Sequence, residues 1–357
     1  MSITHAQAQQ STRIAAGVEL LATMLDTESV SGGEARLAHL LASHLRNAGF
    51  DTRIDAVGNL IAIWGDGVDH VALVGHLDTV PGRIAVRTED GRLHGRGAVD
   101  AKGPLAAALT AVMRQPRDAG RRFTVVGAVE EETTSRGALH VAEKLRAPAN
   151  LVILEPSGWD GITIAYKGSI RLRWTVEVPA SHSAGPQPSA ADQAFAYVSS
   201  LHELARARSN GARHFDRVDL RVIRCEAGGD GLCDRARVEC GLRLPLGCDV
   251  AVLIRDVHAL AGAGRVEIVS AEPAVRTDRG SPLARRFVSA IRAHGGAPRF
   301  KLKTGTSDLN VLAPAWGCPA LAYGPGNSLL DHTPDEYVEI SEFERAVDVF
   351  DTVLRTL

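Results

Sequence analysis

His76 and Asp78 stand two residues apart in Gly75-His76-Leu77-Asp78-Thr79-Val80-Pro81, directly after the apolar run Val71-Ala72-Leu73-Val74. The run reads as a buried strand. Residues two apart on a strand point to the same face, so imidazole and carboxylate leave the strand end together. That is the arrangement of a metal-ligating His whose second ring nitrogen is held by a carboxylate. Alone, a strand-end His is more often a surface or core residue than a ligand. The pair gains weight from the segments that follow it.

Four further segments place an acid or a His near apolar runs. Gly95-Arg96-Gly97-Ala98-Val99-Asp100-Ala101-Lys102-Gly103 leads into the helix-like Pro104-Leu105-Ala106-Ala107-Ala108-Leu109. It lacks the Gly-Lys-Ser/Thr ending of a phosphate loop, and its informative residue is Asp100. The strand-like Phe123 to Val129 ends in Glu130-Glu131-Glu132. Leu151 to Leu154 ends in Glu155-Pro156, and Pro319 to Gly324 leads through a loop to Asp331-His332-Thr333-Pro334. Taken singly, the acidic triplet reads as a solvated loop and Glu155 as a strand-end cap. Together they fall where open α/β sheets collect ligands, outside the carboxyl ends of strands. Two imidazoles and three carboxylates suit two ions of the zinc, cobalt or manganese type.

These segments, in this order, resemble the dizinc hydrolases that include acetylornithine deacetylase, succinyl-diaminopimelate desuccinylase and carboxypeptidase G. The resemblance covers essentially the whole chain. It implies two zinc ions per subunit, with cobalt able to substitute. It implies that Asp100 bridges them, that His76 and Glu155 complete one site, and that Glu132 and His332 complete the other. Glu131 is then the general base, Asp78 the partner of His76, and the peptide bond after Asp100 is cis. Glu131-Glu132-Thr133-Thr134-Ser135-Arg136-Gly137-Ala138 fits the family pattern in that register; a one-residue slip makes Glu130 the base and Glu131 the ligand.

Narrower stretches resemble the branch that frees lysine or ornithine from the C-terminal glutamate of an amino-group carrier protein. They are Glu155-Pro156-Ser157-Gly158-Trp159, Tyr166-Lys167-Gly168-Ser169, Lys303-Thr304-Gly305-Thr306-Ser307-Asp308-Leu309-Asn310 and Tyr323-Gly324-Pro325-Gly326. The resemblance further implies that His182, in Ser181-His182-Ser183-Ala184-Gly185, reaches the partner subunit's active site to stabilise an oxyanion. It implies that Arg243 binds the substrate's free α-carboxylate, a pairing the guanidinium fork favours. Thr304, Gly305 and Thr306 are candidate substrate contacts. The plainer readings are a surface-loop His, an exposed strand charge and a glycine turn. One departure stands out: many relatives carry an Asn in the stretch before that Arg, and Glu226-Ala227-Gly228-Gly229-Asp230-Gly231 has none.

The elements that must position these residues divide the chain of 357 residues in two. In the first part helical stretches (Ile14 to Leu25, Glu34 to Ala48) alternate with short strands (Leu60 to Trp64, Val71 to Val74, Thr124 to Val129, Leu151 to Leu154). Such alternation indicates an α/β fold, a mostly parallel mixed sheet flanked by helices. The middle differs. Arg171 to Val178 and Val218 to Ile223 alternate as half-exposed antiparallel strands do, around helices at Ala190 to Arg206 and Asp249 to Ala261. We therefore expect a catalytic domain of residues 1–165 and 276–357 with an inserted α+β lid and dimerisation domain of residues 166–275.

Hydrophobic content of 45% supports ample cores, and a net charge of −2 gives no basic footprint for nucleic acid. No apolar run approaches the roughly 20 residues of a membrane span. Met1-Ser2-Ile3-Thr4-His5-Ala6-Gln7 has neither the basic start nor the apolar core of a signal peptide, so a cytoplasmic location is expected. Cys225, Cys233, Cys240, Cys248 and Cys318 form no closely spaced pair, which argues against a structural zinc site, and their odd number argues against a disulfide framework. The lid carries many arginines, among them Arg206, Arg208, Arg221, Arg224, Arg235 and Arg237, readable as a solvated face or as a docking patch for an acidic carrier. The leading expectation is a dizinc amidohydrolase acting on a carrier-linked amino acid. The alternatives are a small-molecule N-acyl-amino-acid deacylase, a dipeptidase or carboxypeptidase, and a scaffold that has lost catalysis. The last would be expected to lack the base or a ligand, and this chain keeps all of them.

Overall fold

The strand Asp69–His76 lies between two parallel neighbours, Arg121–Ala128 on one side and Asn150–Ile153 on the other. These three strands are the centre of the larger of two units in a computed structural model that describes residues 15–117, 120–209 and 213–357. Ile14, which opens the first expected helix, and the segment Met1–Gln7 lie outside the described residues.

The larger unit comprises residues up to Ile164 together with Thr277–Lys301 and Ser307–Leu357. Its sheet runs in the order Asp51–Ile54, Leu60–Trp64, Arg121–Ala128, Asp69–His76, Asn150–Ile153, Ala320–Ala322, Gly161–Tyr166. The central pairs are parallel and the flanks antiparallel. Leu60–Trp64, which the sequence suggests as part of a parallel alternation, is antiparallel to both neighbours. Only residues 55–59 join it to Asp51–Ile54, and a parallel pair needs a crossover of about a dozen residues or more.

The central strands are buried on both faces, and their apolar runs reflect it. Helix Lys102–Val112 is buried along its entire length and packs against Ile340–Thr356. Helix Ala35–Asn47 buries Leu37, Ala38, Leu41, Ala42 and Leu45, the three-to-four spacing of one helical face. A small separate sheet pairs Arg87–Glu89, Arg92–His94 and Tyr337–Glu339.

The second unit comprises Ala165–Arg276 and also Leu302–Thr306. Its antiparallel sheet has the order Asp219–Gly229, Cys233–Leu244, Gly168–Pro179, Arg265–Glu272, with helices Ala190–Ala207 and Val250–Ala259. It has its own core, including Trp174 stacked on Tyr197. The contiguous insertion expected from sequence does not include Leu302–Thr306. That segment is tied in by Lys167, whose N–H donates to the Lys303 carbonyl, and by Arg243, which donates to Thr306.

Candidate active site

Parallel register brings the site together. His76 is opposite Ala128, and Val74 is opposite Ile153. His76, the acidic triplet and Glu155 therefore leave adjacent strands at one end. Ala320–Ala322, parallel to Asn150–Ile153, feeds the loop that ends in His332.

Asp100 occupies the middle. Its Oδ1 lies 3.1 Å from Nε2 of His76 and its Oδ2 lies 3.0 Å from Nε2 of His332. Glu155 Oε1 is 3.8 Å from the same His76 nitrogen, and Glu132 Oε1 is 2.9 Å from that of His332. Two groups of possible ligands result, His76–Asp100–Glu155 and Asp100–Glu132–His332, with Asp100 in both. A third grouping, His76–Glu131–Glu132, overlaps them.

The backbone that presents Asp100 is tightly folded. Lys102 and Gly103 both donate N–H groups to the Gly97 carbonyl. A Cβ at Gly103 would lie 2.2 Å from the Ala98 carbonyl oxygen, so only glycine fits. The Asp100–Ala101 peptide bond is cis. Beyond it, the buried Lys102 ammonium donates to the carbonyls of Met24 and Thr27, closing the end of the helix at residues 15–26.

Asp78, fully buried, holds several parts in place. Its backbone carbonyl lies 2.9 Å from His76 Nδ1 and its Oδ1 lies 3.4 Å from the same atom. Its carboxylate accepts the backbone N–H groups of Glu131 and Glu132, each at 3.1 Å, and the Ser31 hydroxyl at 2.7 Å. Glu130 turns away. It takes a left-handed backbone conformation, φ +58°, and its carboxylate accepts from Thr134 and Arg136. It is in none of the candidate ligand groups, so among the described residues the geometry distinguishes Glu131 and Glu132 from Glu130.

Three carboxylates of the cluster drew no role from the sequence. Asp308, 2% exposed and the residue before helix Leu309–Trp316, interacts with the charges of His76, Asp78 and Glu131, and its Oδ1 has no hydrogen-bond partner among the described residues. Glu34 accepts the N–H groups of Gly32 and Glu130. Glu336 accepts the N–H groups of Val99 and Asp100. Each stands in a loop, where an acid ordinarily reads as solvated; only Asp308, adjacent to an already suspect Gly-Thr turn, had a local pointer.

Burial pushes the Glu131 carboxyl well above the ordinary glutamate value; the His76 charge opposes this, and Glu155, Asp308 and Glu132 add to it. Burial likewise raises Asp308 to about 7 and raises Glu132. Burial opposes the charge on Asp100, yet its hydrogen bonds to His332 and His76 hold it far below the carboxylate range. Those to Asp100 and Glu132 push His332 up to about 10. Carboxylates crowded between the buried His76 and the exposed His332 repel one another unless a cation joins them, so the donor chemistry fits divalent metal ions.

The remaining candidates belong to the second unit. Arg243 Nη1 donates to Thr306 Oγ1 at 3.1 Å, which brings two proposed substrate contacts together. Thr304 and Gly305 share their segment. His182 is exposed, and its Nδ1 accepts the Ala184 N–H. The arginine-rich face is largely neutralised within its own sheet and helices. Arg208 pairs with Asp256, Arg224 with Glu226, Arg235 with Glu177 and Asp230, and Arg237 with Glu239. That is the pattern of a solvated face.

An α/β unit that presents imidazoles and carboxylates around one shared aspartate at the carboxyl ends of its parallel strands is suited to hold divalent metal ions. The chain belongs to peptidase family M20/M25/M40, whose model matches residues 72–356. A LysW-lysine hydrolase of Deinococcus radiodurans is 41% identical over 348 residues, 95% of this chain and 96% of that one. A putative LysW-lysine/LysW-ornithine hydrolase of Thermococcus kodakarensis is 36% identical, covering 95% of this chain and 92% of that one. The M20 family metallo-carboxypeptidase Sso-CP2 of Sulfolobus solfataricus shares the fold, with a TM-score of 0.79 at 18% identity, covering 95% of this chain and 98% of that one.

Proposed function

We propose that the chain is a two-metal amidohydrolase that releases lysine or ornithine from the C-terminal glutamate of an amino-group carrier protein, as a step of amino-acid biosynthesis. The observation that carries the reading is Asp100, with one carboxylate oxygen facing His76 and the other facing His332. The substrate class is supported by the names of relatives that align with nearly the whole chain.

His76, Asp100 and Glu155 would hold one ion, and Asp100, Glu132 and His332 the other. Two zinc ions, or cobalt in their place, would supply Lewis acidity that lowers the pKa of water from 15.7 to about 7 and polarises the amide carbonyl. Glu131 takes a proton from the attacking water and returns it to the leaving amine. A carboxylate off the metal can shuttle a proton, which gives two neighbouring glutamates separate tasks. Asp78 sets the imidazole of His76 and, through two backbone N–H groups, the position of Glu131 and Glu132. Arg243 pairs with the α-carboxylate of the amino acid being released, with Thr304, Gly305 and Thr306 beside it. His182 donates a hydrogen bond to the oxyanion from the partner subunit.

The second unit is the lid, and the enzyme is a cytoplasmic homodimer joined through it. Support comes from the edge strand Asp219–Gly229, exposed along most of its length with Val222 and Ile223 on its surface. An open strand edge is a template for pairing. The five cysteines are free, as suits a reducing compartment. No helix among the described residues is long and apolar enough to cross a membrane.

The test is hydrolysis by zinc-loaded enzyme of a carrier bearing lysine or ornithine, with N-acetylornithine in parallel and Glu131→Ala as the control. Faster release from the carrier, lost in the variant, is the expected result. Faster cleavage of N-acetylornithine would overturn the carrier assignment.

A further inference from the structure

The small sheet in the larger unit pairs Tyr337 with His94 and Glu339 with Arg92 in antiparallel register. The chain therefore leaves Arg92–His94 towards Asp100 alongside the chain that arrives from His332. Glu336, one residue before that sheet, is 1% exposed. Its Oε1 accepts the N–H of Val99 at 2.9 Å and the N–H of Asp100 at 3.1 Å. Its Oε2 accepts from Arg96 Nη1 at 2.8 Å. The same Arg96 nitrogen donates to the carbonyl of Thr333, next to His332, at 3.0 Å, and Arg96 Nε donates to the carbonyl of Gly82 at 3.0 Å. One carboxylate–guanidinium pair, its carboxylate buried and its guanidinium partly exposed, thus touches the backbone at Asp100, the backbone beside His332, and the loop that follows Asp78. His332 itself has φ +63°, a conformation a non-glycine residue keeps only where its surroundings fix it.

We propose that Glu336, acting with Arg96, is a positioning residue that fixes Asp100 against His332 and so sets the affinity of the metal centre. It touches neither substrate nor metal. A neutral amide in place of its carboxylate can still accept the two N–H groups, but it presents a donor to Arg96 and releases the Thr333 loop. The inference rests on the reading of Asp100 and His332 as ligands.

The experiment is zinc binding to metal-free protein by competition with a chromophoric chelator, joined to kcat and KM for the loaded enzyme and the visible absorption of the cobalt form. The variants are Glu336→Gln, Arg96→Lys and Arg92→Ala. The last breaks the exposed Arg92–Glu339 pair and the contact of the Arg92 guanidinium with the Tyr337 ring, and leaves the Glu336 carboxylate and Arg96 in place. Groups that orient metal ligands typically contribute about 10–100-fold in affinity or activity. Glu336→Gln is expected to lose affinity in that range, with kcat reduced, KM unchanged and the cobalt spectrum altered. Arg96→Lys is expected to fall between it and the parent, and Arg92→Ala to match the parent. Parental zinc affinity and cobalt spectrum in folded Glu336→Gln, or in folded Arg96→Lys should the first variant not fold, overturns the proposal. Loss of fold in both overturns it too, since the role is then structural. A parent that binds no zinc is a different result, which removes the ligand reading on which the inference rests.

Discussion

Asp78 accepts the backbone N–H of Glu131 at 3.1 Å while its other contacts hold His76. One buried carboxylate thereby orients a candidate ligand and locates the candidate base. Asp78→Asn keeps the shape but puts an amide donor where backbone N–H groups must be accepted. We expect about a 10–100-fold loss of metal affinity or activity, read by chelator competition and by kcat. Parental values for both would remove Asp78 from the account.

Glu131→Ala separates base from ligand. If Glu131 only moves protons, turnover falls by about 10²–10⁴ while metal stoichiometry stays at the parental value. Glu132→Ala is expected to lose metal as well as turnover, because Glu132 faces His332 at 2.9 Å. Elemental analysis of the dialysed variants, paired with initial rates, distinguishes the two glutamates. Metal loss in Glu131→Ala with full retention in Glu132→Ala would reverse their roles.

Removing metal is expected to destabilise the larger unit. The raised Glu131, Glu132 and Asp308 carboxyls share a buried space, and a cation that binds only the folded state stabilises it by about 2.7 kcal/mol at one hundred times its Kd. A chelator should therefore lower Tm, and added zinc should restore it. A Tm insensitive to both would mean that the cluster is stable without ions.

The thiols offer a check on the second unit. Burial pushes the Cys240 thiol up to about 11, and only the thiolate reacts quickly. Cys225 is exposed on the edge strand. Under native conditions near neutral pH, a disulfide reagent should leave Cys240 unmodified until the chain unfolds. Mass mapping of the modified peptides gives the order; early modification of Cys240 would contradict its burial.

Much of the site could be read from the sequence because its residues follow strand ends. His76, Glu132 and Glu155 come straight after apolar runs, so local pattern alone puts them at one edge of a parallel sheet. Pairing direction was less accessible: the apolar run Leu60–Trp64 looks the same parallel or antiparallel, and only the short connection before it determines the answer. Glu336 and Glu34 are unmarked in the sequence for a common reason. Nothing in a loop acid's neighbours marks it as buried; each is committed by backbone N–H groups or charges that arrive from distant segments, Glu336 by Asp100 across 236 positions of chain.

The most direct test of the account is a crystal structure of the zinc-loaded protein with anomalous scattering recorded at the zinc edge. Two anomalous peaks are expected, one contacting His76, Asp100 and Glu155, the other contacting Asp100, Glu132 and His332. A single peak, or two peaks that do not share Asp100, would contradict it.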